Sequence, residues 1–484
     1  MVARLTVIGA GPGGYQAAVR AAQLGASVNL VEATQVGGTC LHWGCIPTKT
    51  LQTSALALLA ARRLGEFGIN LQGNLSPDLG AIMARKDQVV GLQALGLEKL
   101  FQAHGIRLLR GRGRLLAPDL VGVELNAGGG EELASDRVIL ATGSRPANLP
   151  GLKRDGRLVL NSDDVLSLKE IPTSICIVGG GVVGCELACI LAALGSRVII
   201  VEALNRLLPL PSLDTEVSKL LLREMKKQRI TVHTGWVIAA MEPDGAGLRL
   251  TLTPSPLLDP PAAGQPLELR VNRVLVSVGR ALNSANLGLE QAGVTLDQRG
   301  GVVVDEHLQT TASGVFALGD LLGAGRPMLA HMAGAEALVA AANALGGTEV
   351  VDYRVVPAVA FTMPEVAWVG LSPEQAQTRG QEALSAVFSC RLLGKSQAMS
   401  EIAGQCKLVY EPGSLRLLGA HLIGPHASDL IHECALACRL GATVADLAHT
   451  IHAHPTLSEG LHEAAKAVLG RCLHLPPANK ASQP

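Results

Sequence analysis

The chain repeats one nucleotide-binding pattern at two places 170 residues apart, and this repeat restricts its fold more than any other feature. Segments 5–14 and 175–184 are each an apolar strand that runs into Gly-x-Gly-x-x-Gly. The register continues beyond the glycines, because both copies place Leu-Gly, two valines and a glutamate at the same offsets. A strand, a glycine-rich turn and a helix make up the βαβ unit that binds dinucleotides. The sequence therefore predicts two Rossmann units.

Each glycine of the pattern has a physical role. Gly9 is expected to make the tight turn, Gly11 to let a pyrophosphate approach the backbone, and Gly14 to let the helix pack closely on the strand. The phosphate would then lie at the N-terminus of the helix. The equivalent glycines of the second copy are Gly179, Gly181 and Gly184. Both copies are therefore predicted to bind a dinucleotide.

An acidic residue follows each first glycine after 23 residues. These residues, Glu32 and Glu202, are expected to accept hydrogen bonds from ribose hydroxyls. Glu202 would also repel the 2′-phosphate of NADP, so the second site favours NAD. Arg206 lies four residues further on and weakens this preference slightly.

Two cysteines, Cys40 and Cys45, lie in segment 37–49, directly after the first copy. Positions i and i+5 of a regular helix point well apart, so a disulfide between them requires a distorted turn. Gly44 supplies backbone freedom there, and Pro47 is tolerated only near a helix start. A strained, accessible bridge is reducible, which predicts a relay from dithiol to flavin at the first site and nicotinamide at the second. The alternative is an ordinary pair of buried thiols.

Three further segments carry candidate site residues. Asp320 ends an apolar strand and is placed to bind flavin ribityl hydroxyls, although Gly-Asp is also a common turn. Segment 141–144, after another apolar strand, has the same two interpretations. His454, with Glu459 available to orient it, is typical of an acid/base pair for thiol chemistry. The alternatives for His454 are interface packing and, less well supported by spacing, a metal site.

Composition excludes several classes of function. The 484 residues include 41 basic and 41 acidic side chains, so no net charge attracts nucleic acid or an anionic membrane. Aromatic residues are only 2%, which argues against base-stacking surfaces. The N-terminal residues lack the apolar length and the cleavage pattern of a signal peptide, and no run of eighteen apolar residues occurs, so neither a signal peptide nor a membrane span is expected. Ten cysteines are too few for a disulfide scaffold and indicate a reducing compartment. The expected location is the cytoplasm.

By its motifs the chain resembles the class I pyridine nucleotide-disulfide oxidoreductases, also called flavoprotein disulfide reductases, and among them the dihydrolipoamide dehydrogenases. The resemblance extends over nearly the whole chain. Its most specific parts are segments 37–49, 279–280, 328–331, 357–370 and 452–459, together with the second Rossmann unit and Glu186. The sequence His-Pro-Thr-Leu-Ser-Glu at 454–459 distinguishes lipoamide enzymes within this family.

The resemblance implies a mechanism. His454 of one subunit would take a proton from dihydrolipoamide in the active site of the other. The substrate thiolate would attack Cys40, Cys45 would contact the flavin, and the electrons would pass as hydride to NAD⁺. Lys49 and Glu186 would pair near the flavin–nicotinamide contact. The implied FAD residues are Gly9, Gly11, Gly14, Glu32, Gly113, Thr142, Gly143, Ser144, Asp320, Met328, Leu329, Ala330 and His331. The implied NAD residues are Gly179, Gly181, Gly184, Glu202, Val237 and Gly279.

The implied fold is α/β, with two Rossmann-like domains and a C-terminal α+β dimerisation domain. The expected segments are 1–148 and 275–349 for non-covalent FAD, 149–274 for NAD, 350–471 for the interface, and a flexible tail at 472–484. The implied partners are a second copy of the chain, lipoyl domains and the acyltransferase (E2) core of 2-oxoacid dehydrogenase complexes or the glycine cleavage system. Glutathione reductase, mercuric reductase, soluble transhydrogenase and a mainly docking subunit remain the alternatives.

Overall fold

The computed structural model of the chain describes residues 2–260, 264–323 and 325–475. These residues form two compact units, each assembled from separate segments of chain. The first unit contains the residues up to 156, together with 160–170 and 278–352. The second contains 157–159, 171–277 and the residues from 353 onwards. One copy of the repeated pattern lies in each unit.

A seven-stranded sheet forms the centre of the first unit. Five of its strands are parallel and two antiparallel strands extend one edge. The central strands are apolar and buried on both faces, as expected for parallel strands. In spatial order the strands are Val315–Ala317, Arg137–Leu140, Arg4–Ile8, Ser27–Glu32, Arg107–Ala117, Leu120–Leu125 and Gly130–Ala134. A separate antiparallel pair consists of Ser144–Pro146 and Arg280–Leu282.

Helices of the first unit pack around this sheet. The helix Pro12–Gln23 starts with proline, whose fixed φ suits the first helical position. Small residues let it approach Ala330–Ala344, since a Cβ on Gly13 would lie 3.3 Å from that of Ala333. The remaining helices are Gly38–His42, Cys45–Arg62, Leu79–Ala103 and Ser162–Val165, with short 3₁₀ turns at Leu64–Phe67 and Gly319–Leu322.

The second unit begins with its own parallel sheet, which repeats the pattern of the first. In spatial order its strands are Thr231–Thr234, Arg197–Glu202, Ser174–Val178, Arg273–Val276 and Val159–Leu160. The helices Val182–Leu194 and Thr215–Lys227 belong to this part, and Asp214 caps the second of them through the N–H groups of Glu216 and Val217. An antiparallel sheet follows, made of Trp236–Asp244, Gly247–Pro254 and Leu267–Val271.

The C-terminal part of the second unit is a five-stranded antiparallel sheet covered by helices. Its spatial order is Ala358–Ala360, Glu365–Gly370, Leu417–Gly424, Gln405–Tyr410 and Leu384–Ser389. Buried Leu, Ile, Val and Ala side chains join the sheet to helices Ala427–Leu440, Val444–His449 and Glu459–Val468 in one apolar cluster. Shorter helices are Pro373–Thr378 and Gly394–Ala398, with a 3₁₀ turn at Cys390–Leu392. The α/β fold class, with a C-terminal α+β part, is confirmed.

The segments predicted for the two cofactors and the interface can be located in the two compact units. Both segments expected to bind FAD lie almost wholly in the first unit, and the expected NAD and interface segments lie mainly in the second. Their separation into two domains stays a prediction. Within the segment predicted to be a flexible tail, Cys472 and Leu475 pack against the apolar cluster, and the boundary of the tail stays a prediction. Residues 476–484 lie outside the described residues. Within the described ranges, no helix has the length and apolarity needed to cross a membrane.

Candidate active site

In the first glycine-rich turn, Gly9 and Gly14 are in close contact with neighbouring backbone, whereas Gly11 has open space beside it. Gly9 has a φ of +103°, and a Cβ there would lie 2.4 Å from the carbonyl oxygen of Ala141. A Cβ on Gly14 would lie 1.8 Å from the carbonyl oxygen of Gly9, so this turn and its helix touch directly. A Cβ on Gly11 would meet nothing within 4 Å. The open space at the helix N-terminus therefore fits a dinucleotide pyrophosphate.

The second turn has the same geometry. Gly179 has a φ of +109°, and a Cβ on Gly184 would lie 2.0 Å from its carbonyl oxygen. Gly181 precedes the helix Val182–Leu194, and a Cβ on it would again meet nothing within 4 Å. This site also fits a dinucleotide.

Glu32 and Glu202 each hold the turn of their own copy. Oε2 of Glu32 accepts the N–H of Ala10 at 2.8 Å, and Oε2 of Glu202 accepts that of Gly180 at 2.6 Å. The other oxygen, Oε1, accepts the N–H of Thr34 in the first copy at 2.8 Å and that of Leu204 in the second copy at 2.7 Å. A carboxylate has about four acceptor positions, so capacity remains for ribose hydroxyls. The sequence pattern did not predict that these acids also fix the glycine turns.

Arg206 is engaged away from Glu202. Its guanidinium donates to the carbonyl oxygens of Leu210 and Leu213 at 2.7 and 3.0 Å, and to Oγ1 of Thr215 at 3.0 Å. These three bonds tie Arg206 to segment 210–215. The weakening of NAD preference that its sequence position suggested therefore has no support from its contacts.

The two cysteines lie on either side of a break between helices. Cys40 belongs to the helix Gly38–His42, and Cys45 is the first residue of Cys45–Arg62. A Cβ on Gly44 would lie 2.9 Å from the carbonyl oxygen of Thr39, so the chain needs glycine there for steric reasons. The distorted turn and the helix start near Pro47 are both confirmed. The ten cysteines all lie in described ranges, and none of them forms a disulfide in this structure.

The thiols of Cys40 and Cys45 are hydrogen-bonded to each other. This bond, followed by burial, raises the pKa of the Cys40 thiol, and the nearby Lys49 charge opposes that rise. The N-terminus of the helix that Cys45 begins favours negative charge on its sulfur.

The dithiol segment touches the first glycine turn. The N–H of Gly37 donates to the carbonyl oxygen of Ala10 at 2.7 Å, and a Cβ on Gly38 would lie 2.7 Å from Cα of Gly11. A dinucleotide bound at this turn therefore lies beside the segment that carries Cys40.

Ser144, Asp320 and Arg280 form a network in the first unit. The Ser144 hydroxyl donates to Oδ2 of Asp320 at 2.5 Å and accepts Nε of Arg280 at 2.6 Å. Nη2 of Arg280 also donates to the Ser144 carbonyl oxygen at 2.8 Å, and its Nε lies 3.6 Å from Asp320. The structure thus brings together two predicted flavin residues, 176 positions apart in sequence. Arg280 was not among the predicted site residues, although segment 279–280 was one of the specific parts of the resemblance.

The remaining predicted cofactor residues occupy varied positions. Gly113 packs against the sheet, since a Cβ there would lie 3.0 Å from Ile8 Cγ2. Thr142 bonds with Asn283, and Gly143 has a φ of +67°. Met328, Leu329, Ala330 and His331 enter the helix Ala330–Ala344, with Leu329 as its N-cap residue. Val237 lies in the strand Trp236–Asp244. Gly279 belongs to the first unit, so it is not grouped with the other predicted NAD residues.

Glu186 is buried in the second unit, where its Oε1 accepts the N–H of Phe361 at 2.8 Å. Lys49 lies in the helix Cys45–Arg62 of the first unit. Their predicted pairing stays a prediction.

His454 and Glu459 are in direct contact, as the sequence suggested. Nδ1 of His454 lies 2.9 Å from Oε1 of Glu459, and the N–H of Thr456 donates to Oε2 at 2.9 Å. Burial raises the pKa of Glu459, but the bonds from Thr456 and His454 outweigh it and leave this pKa below its usual value. The His454 side chain is 76% exposed, against 22% for Glu459. An ionised carboxylate therefore orients an exposed imidazole.

The neighbouring His452 has a different environment. Its side chain is buried, with Nε2 2.9 Å from Oε1 of Glu433 and Nδ1 2.9 Å from the Thr450 carbonyl oxygen. Sequence reasoning missed the Glu433 partner. Within the described ranges, no group of His, Cys, Asp and Glu side chains is arranged to hold a metal ion.

Comparison with known proteins covers nearly the whole chain. Residues 3–337 match the family model for pyridine nucleotide-disulphide oxidoreductases, and residues 356–465 match the dimerisation domain of the same family. Dihydrolipoyl dehydrogenases of Chlamydia muridarum and Thermus scotoductus are each 40% identical to it, over 98% and 97% of this chain and 98% of their own. That of Bacillus subtilis is 38% identical over 97% and 98%.

Solved structures agree with this match. LpdA from Mycobacterium tuberculosis has a TM-score of 0.87 at 27% identity, covering 96% of this chain and 100% of its own. The HOCl-induced flavoprotein disulfide reductase RclA from Escherichia coli has a TM-score of 0.83 at 25% identity, with coverage of 96% and 100%.

Proposed function

Because the chain belongs to the pyridine nucleotide-disulphide oxidoreductase family, whose members are oxidoreductases that use FAD and a nicotinamide cofactor, we propose that it is a dihydrolipoyl dehydrogenase. The reaction converts a dihydrolipoyl dithiol and NAD⁺ into the cyclic disulfide, NADH and a proton. Full-length relatives of that name support this assignment over the sister reductases.

The observation that carries the proposal is the contact between His454 and Glu459. With Nδ1 donating to the carboxylate, Nε2 of the imidazole carries the lone pair that accepts a proton. A dithiol substrate must lose protons to become nucleophilic, and an imidazole is the side chain that most often accepts protons as a general base. Most of the ring is exposed, which fits a base that enters the active site of a second copy of the chain. We therefore infer that the active form is the homodimer.

We assign different roles to the two cysteines. Cys40 is the residue that the substrate thiolate attacks when the pair is a disulfide, since a mixed disulfide is the intermediate of thiol exchange. Cys45 then leaves as a thiolate, which the N-terminus of its helix stabilises. Lys49, one helical turn further on, adds positive charge near the pair.

The residues of the two glycine turns fit the family cofactors. FAD, when bound beside the dithiol, supplies the two-electron carrier that connects the thiols with NAD⁺. We propose that Gly9, Gly11 and Gly14 hold the FAD diphosphate and that Glu32 orients its ribose. We propose that the oxygens of Ser144 and Asp320, held in place by Arg280, bind the flavin portion of FAD. The other proposed FAD residues are Gly113, Thr142, Gly143, Met328, Leu329, Ala330 and His331.

NAD is assigned to the second copy of the pattern. Gly181 offers the open backbone and Glu202 the ribose acceptor, while Arg206 is tied to segment 210–215. Glu186, fixed by the N–H of Phe361, is proposed to pair with Lys49 where the two cofactors meet. The other proposed NAD residues are Gly179, Gly184, Val237 and Gly279.

The proposed partners are lipoyl domains and the acyltransferase core that carries them. The reaction occurs on the lipoyl arm, which is common to several 2-oxoacid complexes and the glycine cleavage system. We place the enzyme in the cytoplasm because the low number of cysteines suits a reducing compartment.

The test uses the purified, flavin-loaded dimer. NADH formation from dihydrolipoamide and NAD⁺ is measured beside NADPH oxidation with glutathione disulfide and with mercuric ion. Rapid NADH formation in the first assay alone supports the proposal. Turnover only with glutathione disulfide or mercuric ion would refute it and assign a sister activity. Replacing NAD⁺ by NADP⁺ in the first assay tests the role of Glu202 in coenzyme choice. The rate of dihydrolipoamide oxidation is expected to fall sharply.

A further inference from the structure

The second unit contains another close pair of cysteines, Cys390 and Cys406, which the proposed reaction does not use. The antiparallel strands Leu384–Ser389 and Gln405–Tyr410 place Phe388 opposite Cys406. The N–H of Cys390 extends the ladder to the Gly404 carbonyl oxygen at 3.0 Å. Side chains alternate across a sheet, so the two cysteines share one face. Their sulfurs are hydrogen-bonded.

The two thiols differ in acidity. The hydrogen bond from Cys406 lowers the pKa of Cys390, although burial opposes this. The same bond, together with burial, raises the pKa of Cys406. Cys390 is therefore the more acidic thiol of the pair. Reactive dithiols combine a nucleophilic thiolate with a second thiol that resolves the first product.

The surroundings leave space for the sulfurs. A Cβ on Gly424 would lie 3.2 Å from Sγ of Cys390, and a Cβ on Gly460 would lie 2.9 Å from Sγ of Cys406. Both cysteines and Leu457 line a cavity of about 10 Å³. This is about the size that admits one water molecule, so an oxidant that reaches the sulfurs must be very small. The contact of Cys390 Sγ with the Ile423 carbonyl oxygen, at 3.9 Å, is weak.

We propose that Cys390 and Cys406 are a second redox dithiol, which hydrogen peroxide oxidises to an intramolecular disulfide that slows the step served by His454. The effect on His454 rests on the proposed function. The formation of the disulfide does not.

The chemistry balances with one peroxide per pair. The Cys390 thiolate attacks one peroxide oxygen, the O–O bond breaks, and Cys390 becomes a sulfenic acid while hydroxide leaves. The hydroxide takes up the proton that Cys390 had lost and becomes water. The sulfur of Cys406 then attacks the sulfenic sulfur, the S–O bond breaks, and a second water leaves with the proton of Cys406. The two sulfurs are oxidised and both peroxide oxygens are reduced.

The link to the proposed active site is Gly460. It follows Glu459 directly, at the start of the helix Glu459–Val468, and it lies against Sγ of Cys406. A disulfide requires sulfurs about 2.05 Å apart, which is much closer than a hydrogen-bonded pair. Closing that gap moves Cys406 relative to Gly460 and so disturbs Glu459, whose carboxylate orients His454.

Peptide mapping tests the disulfide directly. The flavin-loaded dimer is treated with hydrogen peroxide, the excess is removed with catalase, and the protein is unfolded in denaturant that contains the alkylating reagent before tryptic digestion. Trypsin releases residues 380–391 and 396–407 as separate peptides with one cysteine each. The expected product is these two peptides joined, two hydrogens lighter than their sum. Recovery of both in alkylated form, or of Cys390 as sulfinic acid without a link, would overturn the proposal.

Kinetics test the coupling. The linked protein is expected to oxidise dihydrolipoamide about 10- to 100-fold more slowly, because misplacement by about 1 Å can cost up to 10²-fold. Its NADH-to-dye activity should be unchanged, and a dithiol reductant should restore the loss. Cys390→Ser should resist peroxide, whereas Cys438→Ser, a half-buried control on the helix Ala427–Leu440, should not. A linked protein with an unchanged dihydrolipoamide rate would refute the coupling. If the protein does not oxidise dihydrolipoamide even before peroxide treatment, the proposed function is refuted. The peptide map would still show whether Cys390 and Cys406 form a disulfide.

Discussion

Gly44 lies against Thr39 so closely that a Cβ at position 44 would come within 2.9 Å of the Thr39 carbonyl oxygen. This contact closes the turn between the helices that carry Cys40 and Cys45. A methyl group at position 44 would push the two helices apart, so the distance between the two sulfurs depends on Gly44 being glycine.

Gly44→Ala should disrupt the dithiol while leaving the first glycine turn intact. Overpacking of this kind costs about 1–3 kcal/mol, and the simplest relief is to move the helix start away from Cys40. We expect dihydrolipoamide turnover to fall at least about 10-fold, since small misplacements of reacting groups have large kinetic effects. Flavin content, measured by absorbance, should stay near one per chain. Gly65→Ala serves as the control for a surface glycine, because a Cβ there would meet nothing within 4 Å, and wild-type turnover in Gly44→Ala would contradict this assignment.

His454→Gln should slow the thiol half-reaction selectively. Loss of a general base typically costs about 10²- to 10⁴-fold, and glutamine keeps a similar size without a titratable nitrogen. Stopped-flow reduction by dihydrolipoamide measures this step, and reduction of a dye by NADH measures the other half. His452→Gln is the matched control, because His452 is paired with Glu433 and buried. Equal losses in both half-reactions of His454→Gln would argue against its role as base.

The duplicated glutamates permit a paired experiment. Glu202→Gln and Glu32→Gln each lose one anionic acceptor that holds a glycine turn. Hydrogen bonds to charged groups are worth about 1.5–3 kcal/mol, or roughly 10- to 100-fold in affinity. We expect Glu202→Gln to raise the KM for NAD⁺ by that factor with normal flavin content. Glu32→Gln should instead lose flavin on dilution.

A crossed result, with Glu32→Gln affecting NAD⁺ and Glu202→Gln affecting flavin, would reverse the assignment of the two sites. Glu202→Gln should also fail to gain NADP⁺ activity, because Arg206 is engaged with segment 210–215.

Lys407→Met should strongly destabilise the second unit. Nζ of Lys407 lies 2.6 Å from Asp214 and 2.9 Å from Glu216, and the Lys407 and Asp214 side chains are only 7% and 2% exposed. Removing one partner of a buried pair leaves an uncompensated charge and costs about 3–5 kcal/mol. Urea unfolding measures this loss. The exposed pair Arg249–Glu242 gives the control, since Arg249→Met should leave the urea midpoint close to that of wild type.

Glu374→Gln should change how stability depends on pH. Burial raises the pKa of Glu374, but hydrogen bonds from Thr215 and Ser372 outweigh it and lower this pKa to about 2. An unfolded glutamate titrates at about 4.3, so the carboxylate stabilises the fold fully above that pH and progressively less as pH falls toward 2. The variant should be less stable than wild type at pH 7, by about 1 kcal/mol, and the difference should narrow at pH 4. A constant difference between urea midpoints at the two pH values would contradict the lowered pKa.

Local pattern was sufficient for the parts of the site that are close in sequence. The glycine turns, the break at Gly44 and the contact of His454 with Glu459 each depend on residues within a few positions of one another. Arg280 was missed because it meets Ser144 and Asp320 only through a two-stranded sheet. The Cys390–Cys406 pair was missed because only strand register brings those positions together. Glu433 was missed because nothing in the spacing to His452 distinguishes it from other surface acids.

The contact between Gly38 and Gly11 limits how the dithiol could be engineered into another protein. The segment that carries Cys40 lies on the backbone that would bind the FAD diphosphate, and Gly37 is bonded to Ala10 within the same turn. The dithiol segment and the glycine-rich turn therefore depend on each other for their position. An engineer who wished to install this dithiol in another Rossmann protein would need to graft residues 9–45 as one block, including the strand Ser27–Glu32 that spaces its two ends.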